Sequence, residues 1–450
     1  EMSGPAAVSP GDIVVTAQRR EERLQDVPIA INAVNAQTAE RTGITNVVSL
    51  PALVPNLTVT VNVAGYAPFL RGVGANLYGS APNEEQSVAT YVDGVYIAAP
   101  SALGTFGFNN IERIEVLKGP QGTLFGRNAT GGVIQVVTRE PQADPEARVS
   151  VGYGNYNTFN GQAYVTGGTE SLAADVALAY ENQKDGFGRN FTTGRGTFNH
   201  ENFAARASIL LQPSDTTKIR IAGDYSSIEA NGPELQKPRG VIAVDGTTTY
   251  PGRYNGYSDD QYHTSLKQRG IAANISQDIG DLKLVSITSF RRLSGDINWD
   301  QDQTASPIAG HVFNHASRVF SQELQLLSSP SSSIEWMMGG FFYRTRAGYD
   351  PLHLKLRADI YGIQRTHSAS VFGQVTIPIF SPETKLTAGI RYTDETQFVN
   401  WRQVLIPSGV VALDASDKIS YKKPTWRLSL AHAFNPDVNA YISYNRGMKM

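Results

Sequence analysis

The chain has 450 residues, with 39 Lys+Arg against 41 Asp+Glu, a formal net charge of -2, and only 18% charged residues. No global basic field points to nucleic acid. The absence of cysteine excludes disulfide scaffolds, thiolate nucleophiles and Cys-ligated zinc. With 20 Tyr and 18 Phe the chain is too aromatic for disorder. No apolar run of ~18 residues marks a helical span, but a membrane β-barrel, apolar only at every second strand residue, stays open.

Residues 1–10 are small and polar and read as a flexible start. Ile13, Val14 and Val15 then favour an extended chain. They suit either an edge strand or a strand offered to a partner's sheet. The charged stretch Gln18 to Gln25 is expected to stay unburied. Gly43 to Leu53 reads as a short helix or turn. Short strands follow at Leu57 to Val63, Ala89 to Tyr96, Ile111 to Lys118 and Gly132 to Thr138, joined by Gly-rich loops. This is the grammar of a small α+β domain.

From about Glu146 the pattern changes to long alternating segments. Leu172, Ala174, Val176, Leu178 and Tyr180 share one face. Phe203, Ala205, Ala207, Ile209 and Leu211 do the same, as do Trp426, Leu428 and Leu430 against Arg427 and Ser429. That is the period of a strand with one apolar face. Short Pro/Ser/Asp breaks alternate with long polar connections near 183–200, 230–263, 297–316, 347–366 and 398–421; only the one near Asn155 is short out of turn. A soluble sandwich has no reason to collect its long loops at one end, whereas a membrane barrel does. About thirteen strands are expected. Membrane barrels of one chain have even strand numbers, and the last segment, Val438 to Met450, runs out without a turn. The expectation is therefore an incomplete barrel.

Asp12, Ile13, Val14, Val15, Thr16 and Ala17, followed by Gln18-Arg19-Arg20, resemble the TonB box of TonB-dependent outer-membrane receptors. Asp26 to Ile31 resembles the start of their plug. Leu70-Arg71-Gly72, Tyr91-Val92-Asp93-Gly94-Val95, and the run Ile111-Glu112-Arg113-Ile114-Glu115-Val116-Leu117-Lys118-Gly119-Pro120 match plug motifs in the family's order, Lys118 standing where Arg is usual. Gln121 to Ile134 continues the match through Gly122, Gly126 and Arg127. The resemblance implies a transmembrane antiparallel β-barrel, 22-stranded in the full protein, with an N-terminal α+β plug inside its lumen. The division expected is 1–25 with the box at 12–17, a plug at 26–141, and part of a barrel at 142–450.

The same resemblance implies active import across the outer membrane of a Gram-negative bacterium. The box would pair with TonB of an inner-membrane TonB-ExbB-ExbD-type complex. The cargo expected first is a ferric siderophore, with an aromatic compound, oligosaccharide or vitamin as the alternative and a passive porin as the reading of another class. Asn76, Tyr78, Tyr96, Phe106 and Phe108 fall where relatives place the plug apex. Arg253, Tyr254 and Tyr257 lie in the long 230–263 connection, whose chemistry suits aromatic or anionic ligands. The glycines read as turn and close-approach residues. Gly119 to Gly126 lacks the Gly-Lys-Ser/Thr ending of a phosphate loop, and no Gly-x-Ser-x-Gly elbow is present. His311 and His315 have the spacing of helical metal ligands but fall in an expected loop without a carboxylate. No cofactor, metal, nucleic acid or enzymatic reaction is expected, and the chain is expected to be a monomer in lipid.

Overall fold

The computed structural model describes residues 13–42, 44, 47–62, 65–75, 85–98, 110–232, 239–252, 254–436 and 438–449. The N-terminal part begins with β1 (Val14–Val15) and β2 (Glu22–Arg23), paired antiparallel. β3 (Ile31–Asn35) leads into α1 (Ala36–Thr42), which starts where the Asn35 side chain accepts the Thr38 N–H at 2.9 Å. A 3₁₀ helix, Val47–Ala52, precedes the hairpin of β4 (Leu57–Asn62) and β5 (Gly65–Leu70). Then come β6 (Val88–Val92), β7 (Val95–Tyr96), β8 (Ile111–Lys118) and β9 (Gly132–Thr138).

Strands β3, β8, β9, β6 and β7 form one five-stranded sheet in that order, with β6 and β9 parallel. Its core holds Leu50, Leu70, Ile114 and Ile134, all fully buried. Gly132 sits at φ 147 against β8; a Cβ there would lie 2.2 Å from the Leu117 carbonyl oxygen, so only glycine lets the strands meet.

The second part is an antiparallel meander. It runs through β10 (Glu146–Gly154), β11 (Thr158–Gly168) and β12 (Leu172–Gln183), past a small hairpin of β13 (Gly188–Arg189) and β14 (Gly196–Thr197), to β15 (Asn199–Ser214) and β16 (Thr217–Asn231). It continues through β17 (His263–Ile279), β18 (Leu282–Asp300), β19 (Gly310–Ser328) and β20 (Glu335–Leu354). β21 (Ala358–Ile379), β22 (Ser381–Leu405), β23 (Val411–Asn435) and β24 (Val438–Arg446) complete it. Apart from the small hairpin, these strands form a 13-stranded sheet in chain order, with β10 and β24 at its edges. The number agrees with the expectation from the sequence.

The polarity of this sheet is inverted relative to a soluble protein. Val176, Leu178, Ile209, Phe290, Met338 and Val371 are exposed on the outer face. Asp175, Ser208, Arg220 and Thr345 are buried on the inner one. That inner wall touches the N-terminal domain from β12, where Asp175 accepts from the Asn110 side-chain amide at 3.4 Å, round to β23, where Arg427 donates to the Pro28 carbonyl at 2.9 Å. Water is thus replaced on the inside by the polar surface of the first domain and on the outside by an apolar belt suited to lipid.

Four expectations are corrected. The single strand expected at Ala89 to Tyr96 is a hairpin, β6 and β7 paired antiparallel, because Asp93 and Gly94 turn the chain. The connections foreseen at 297–316, 347–366 and 398–421 contract to 301–309, 355–357 and 406–410, because the ladders run on to Asp300, Leu354 and Leu405. Backbone pairing persists there after the apolar alternation has faded, so composition mimics a loop. His311 and His315 consequently lie on β19 rather than in a loop, and the His315 ring packs edge-on against Tyr349 at 4.7 Å. The charged stretch after the first strand is not left in water: the Arg19 side chain is only 5% exposed.

Candidate functional site

The site is the seam between the N-terminal domain and the inner wall, with the first strand at its base. β1 is already paired with β2, so its edge is not free. Val15 and Ala17 are fully buried. Between them, the Thr16 N–H and hydroxyl both donate to Glu115 Oε1, at 2.9 and 3.1 Å, and Gln135 donates to the Thr16 hydroxyl. Arg113 Nε donates to the same Oε1 at 2.8 Å, and the Arg113 guanidinium also meets Glu112 at 2.8 Å. Burial raises the Glu115 pKa; Arg113 and Thr16 oppose that rise.

The residues that follow fasten this strand to the wall. Arg19 pairs with Glu323 at 3.2 Å and lies over the Phe125 ring at 4.4 Å. Arg20 donates to the Ser328 and Trp336 carbonyls at 3.0 and 2.6 Å, and Gln374 donates to Gln18 at 3.0 Å. A lumen wall rich in polar groups is what lets a charged segment bury.

Higher in the seam, Arg127 bonds Glu85 and, at 3.0 Å, Glu395 of β22, with its guanidinium 4.8 Å from the Tyr343 ring. Burial works against the charge on Arg127, but Glu85 and Glu395 outweigh it and raise its pKa. Gly126, at φ 76, leaves room beside it for Arg391: a Cβ there would sit 2.6 Å from that guanidinium.

The third contact is the β6–β7 turn. Asp93 and Gly94 both have positive φ, 47 and 80, the geometry of a two-residue hairpin turn. Asp93 accepts the Thr138 N–H and hydroxyl at 2.8 Å each, and Arg206 at 2.5 Å, with Arg220 at 3.6 Å. Asn274 donates to the Asp93 carbonyl at 3.0 Å, while Arg291 holds Asp224 nearby at 2.6 Å. Burial favours the neutral acid, yet Arg220, Arg206 and Thr138 together hold the Asp93 carboxyl below its usual range.

The other residues singled out by the sequence divide into three groups. Arg71 and Gly72, at φ 52 and 78, make the turn after β5, where the Arg71 N–H donates to the Asn56 carbonyl; Gly119 turns the chain after Lys118 at φ 93. Gly122 gives its carbonyl to the Thr425 hydroxyl of β23 at 3.2 Å. Tyr96 is buried between Tyr91 and Tyr343 rather than open to a ligand. Tyr254 is 39% exposed and packs with Phe187 and Phe198 at 5.8 and 5.7 Å, and Tyr257 lies 5.4 Å from Phe191. Asp12, Asn76, Tyr78, Phe106, Phe108 and Arg253 lie outside the described residues. Sequence reasoning missed Glu323, Glu395, Arg206 and Arg220, the wall partners; none carries a local motif.

The sequence profile of the TonB-dependent receptor plug domain matches residues 23–133, and that of the TonB-dependent receptor-like β-barrel matches residues 144–450. The chain belongs to the TonB-dependent receptor family. It is 34% identical over 173 residues to the vitamin B12 transporter BtuB of Vibrio vulnificus (strain CMCP6), covering 36% of this chain and 27% of that one. Against the pesticin receptor of Yersinia pestis it is 26% identical over 325 residues, covering 71% of this chain and 43% of that one. The chain thus spans less than half the length of these relatives. The crystal structure of the ferric yersiniabactin uptake receptor FyuA from Yersinia pestis has the same fold, with a TM-score of 0.81 at 17% identity, over 93% of this chain and 64% of that one. The first domain is therefore the plug of this receptor, and the 13-stranded sheet belongs to its barrel.

Proposed function

We propose that this receptor imports a scarce solute across the outer membrane of a Gram-negative bacterium, and that residues 12–17 couple the plug to TonB. The observation that carries the proposal is the storage of that segment. Val15 and Ala17 are fully buried and Thr16 is held by Glu115, beneath a plug that meets the wall from β12 to β23. A strand kept inside cannot pair with a partner until the plug changes. Strand addition to an inner-membrane protein then gives pulling work a point of attachment. A passive porin needs an open lumen, and here the plug occupies the wall's polar face.

A ferric siderophore is the cargo proposed first, supported by the fold shared with a ferric yersiniabactin receptor. The similarity to a vitamin B12 transporter favours a non-iron solute as the second reading. Tyr254 and Tyr257, with Phe187, Phe191 and Phe198, form the aromatic surface offered for cargo on the long-loop side. By the barrel rule of short periplasmic turns, that side faces outward from the cell. Uptake by a deletion strain carrying the receptor with and without residues 12–17 tests the reading. Loss of uptake with cargo binding retained supports coupling, and unchanged uptake refutes it.

A further inference from the structure

The outer face of the barrel carries a charge pattern that import does not use. The register sets Arg269 opposite Arg292, Arg292 opposite Arg318, Arg318 opposite Arg346, and Arg346 opposite Arg365. These five arginines stand side by side, one on each of β17 to β21, in a row about 19 Å long at ~4.8 Å per strand. They face away from the lumen. Their chain neighbours Gln268, Leu293, Val319, Thr345 and Thr366 are buried on the inner side. Arg269, Arg318, Arg346 and Arg365 are exposed, and Arg292 is half-buried.

Like charges directly opposite each other destabilise a sheet. Four such pairs in succession call for an outside anion. Among the described residues none of the five forms an ion pair within the chain, although neighbouring surface charges such as Lys422 and Asp394 do. The adjoining rows, through Lys267 and Ser294 on one side and Phe290 and Phe320 on the other, add Lys267 and Arg344 and bring no carboxylate across these strands. The outward-facing acids Asp296 and Asp394 stand two rows away.

The height of the row identifies the anion. Arg269, Arg292 and Arg318 lie about ten residues from the short-turn ends Ile279, Leu282 and Ser328, one crossing length for a tilted strand of ~9–11 residues. Exposed Phe290, Phe320 and Phe342 lie just below on the membrane side, the position of an interfacial aromatic girdle. The arginines are thus placed at headgroup depth on the long-loop side. Guanidinium forks match phosphate oxygens in pairs. We infer that this arginine ladder binds the phosphates of anionic lipid headgroups in the outer leaflet, gripping the bilayer along one flank of the barrel. The inference rests on the outer-membrane reading above.

The test titrates the detergent-solubilised receptor with fluorescent diphosphoryl lipid A, with the same lipid stripped of phosphate, and with inorganic phosphate as competitor. Folding is read separately from the heat-dependent mobility of the barrel on a gel. The intact receptor binds the phosphorylated lipid, and the stripped lipid and free phosphate compete poorly. A triple Arg292→Gln, Arg318→Gln, Arg346→Gln variant loses roughly a hundredfold in affinity. The corresponding Arg→Lys triple, which keeps the charge without the fork, falls between the intact receptor and the glutamine triple. If the glutamine triple gives no folded band, Arg318→Gln alone decides, with a roughly fivefold loss. Unchanged affinity in a folded glutamine variant, or equal binding of the stripped lipid, overturns the ladder and leaves the barrel intact. A wild-type receptor with no heat-resistant band would instead sink the membrane reading beneath it.

Discussion

Thr16 gives its backbone N–H and its hydroxyl to the same oxygen of Glu115, across 99 positions of sequence, at 2.9 and 3.1 Å. The partner sits mid-way along β8, an interior strand of the plug sheet, so the proposed coupling segment is stored against the body of the plug. Glu115→Ala removes both acceptor contacts to Thr16 and leaves the Arg113 guanidinium with Glu112 alone. The expected effect is about 1–3 kcal/mol in favour of release, a roughly five- to 150-fold rise in the open population. Protease cleavage within residues 13–20 of the intact receptor, timed against wild type, reads it. Equal cleavage rates would show that Glu115 does not hold the segment.

Arg127 is the second fastening, and its removal is predicted to loosen the plug in its bore. It is 3% exposed and lies between Glu85 of the plug and Glu395 of the wall. Arg127→Ala leaves two buried carboxylates facing each other, and breaking a buried pair from one side costs about 3–5 kcal/mol. The barrel ladder does not depend on it. Plug signals in hydrogen exchange should therefore lose protection while barrel strands keep theirs. Bilayer conductance should rise with them, as the plug fits its bore less tightly. Uniform loss of protection would place Arg127 in barrel folding instead.

How much of this was legible in the sequence depends on the range of the interaction. The alternation of Leu172 to Tyr180 fixes one strand and its lipid face, because the period is local. The Asp93-Gly94 turn was missed although it is just as local: Ala89 to Tyr96 reads as one strand, and the chain folds back there as the β6–β7 hairpin. β5 was not foreseen: Pro68 interrupts its pattern and is tolerated because β5 pairs only with β4. Arg127 was legible as part of a motif, but its partner Glu395 is 268 positions away and has no motif of its own. The arginine ladder is invisible in one dimension, since its members come from five strands and only the register aligns them.

Asp93 offers a prediction that separates the two halves of the plug. Its carboxylate answers Arg206, Arg220 and the Thr138 hydroxyl at the tip of the β6–β7 hairpin. Its folded pKa is held below the ordinary value, so its contribution is present above that value and is lost as pH falls through the lowered one. Asp93→Asn abolishes this acid-sensitive contribution and leaves guanidinium groups facing one another. The expected result is a loss of about 3–5 kcal/mol of plug docking at neutral pH. The coupling segment, fastened instead by Glu115 and Glu323, should keep its wild-type cleavage rate. A variant that releases both together would mean the plug undocks as a single unit.

Glu22 makes storage of the coupling strand depend on pH. It lies on β2 opposite Val15, accepts from Gln18 at 3.0 Å, and its carboxyl is pushed up to about 7. Burial is the main cause and Glu335 reinforces it, against the Gln18 hydrogen bond, Lys385 and Arg20; Arg427 of β23 also faces the group. The sign follows from the stored state holding the proton more tightly than the released one. Below the ordinary carboxylate value of ~4.3 both states are protonated and storage carries no penalty. As pH rises from there to about 7 the released strand ionises first, so storage weakens; above that the penalty is constant. Because the chain has no native cysteine, Ile13→Cys takes a spin label at one site only. Its mobile fraction should grow between about pH 4 and pH 7, and Glu22→Gln should flatten that response in the stored form. An unchanged slope in the glutamine variant would assign the pH response to another group.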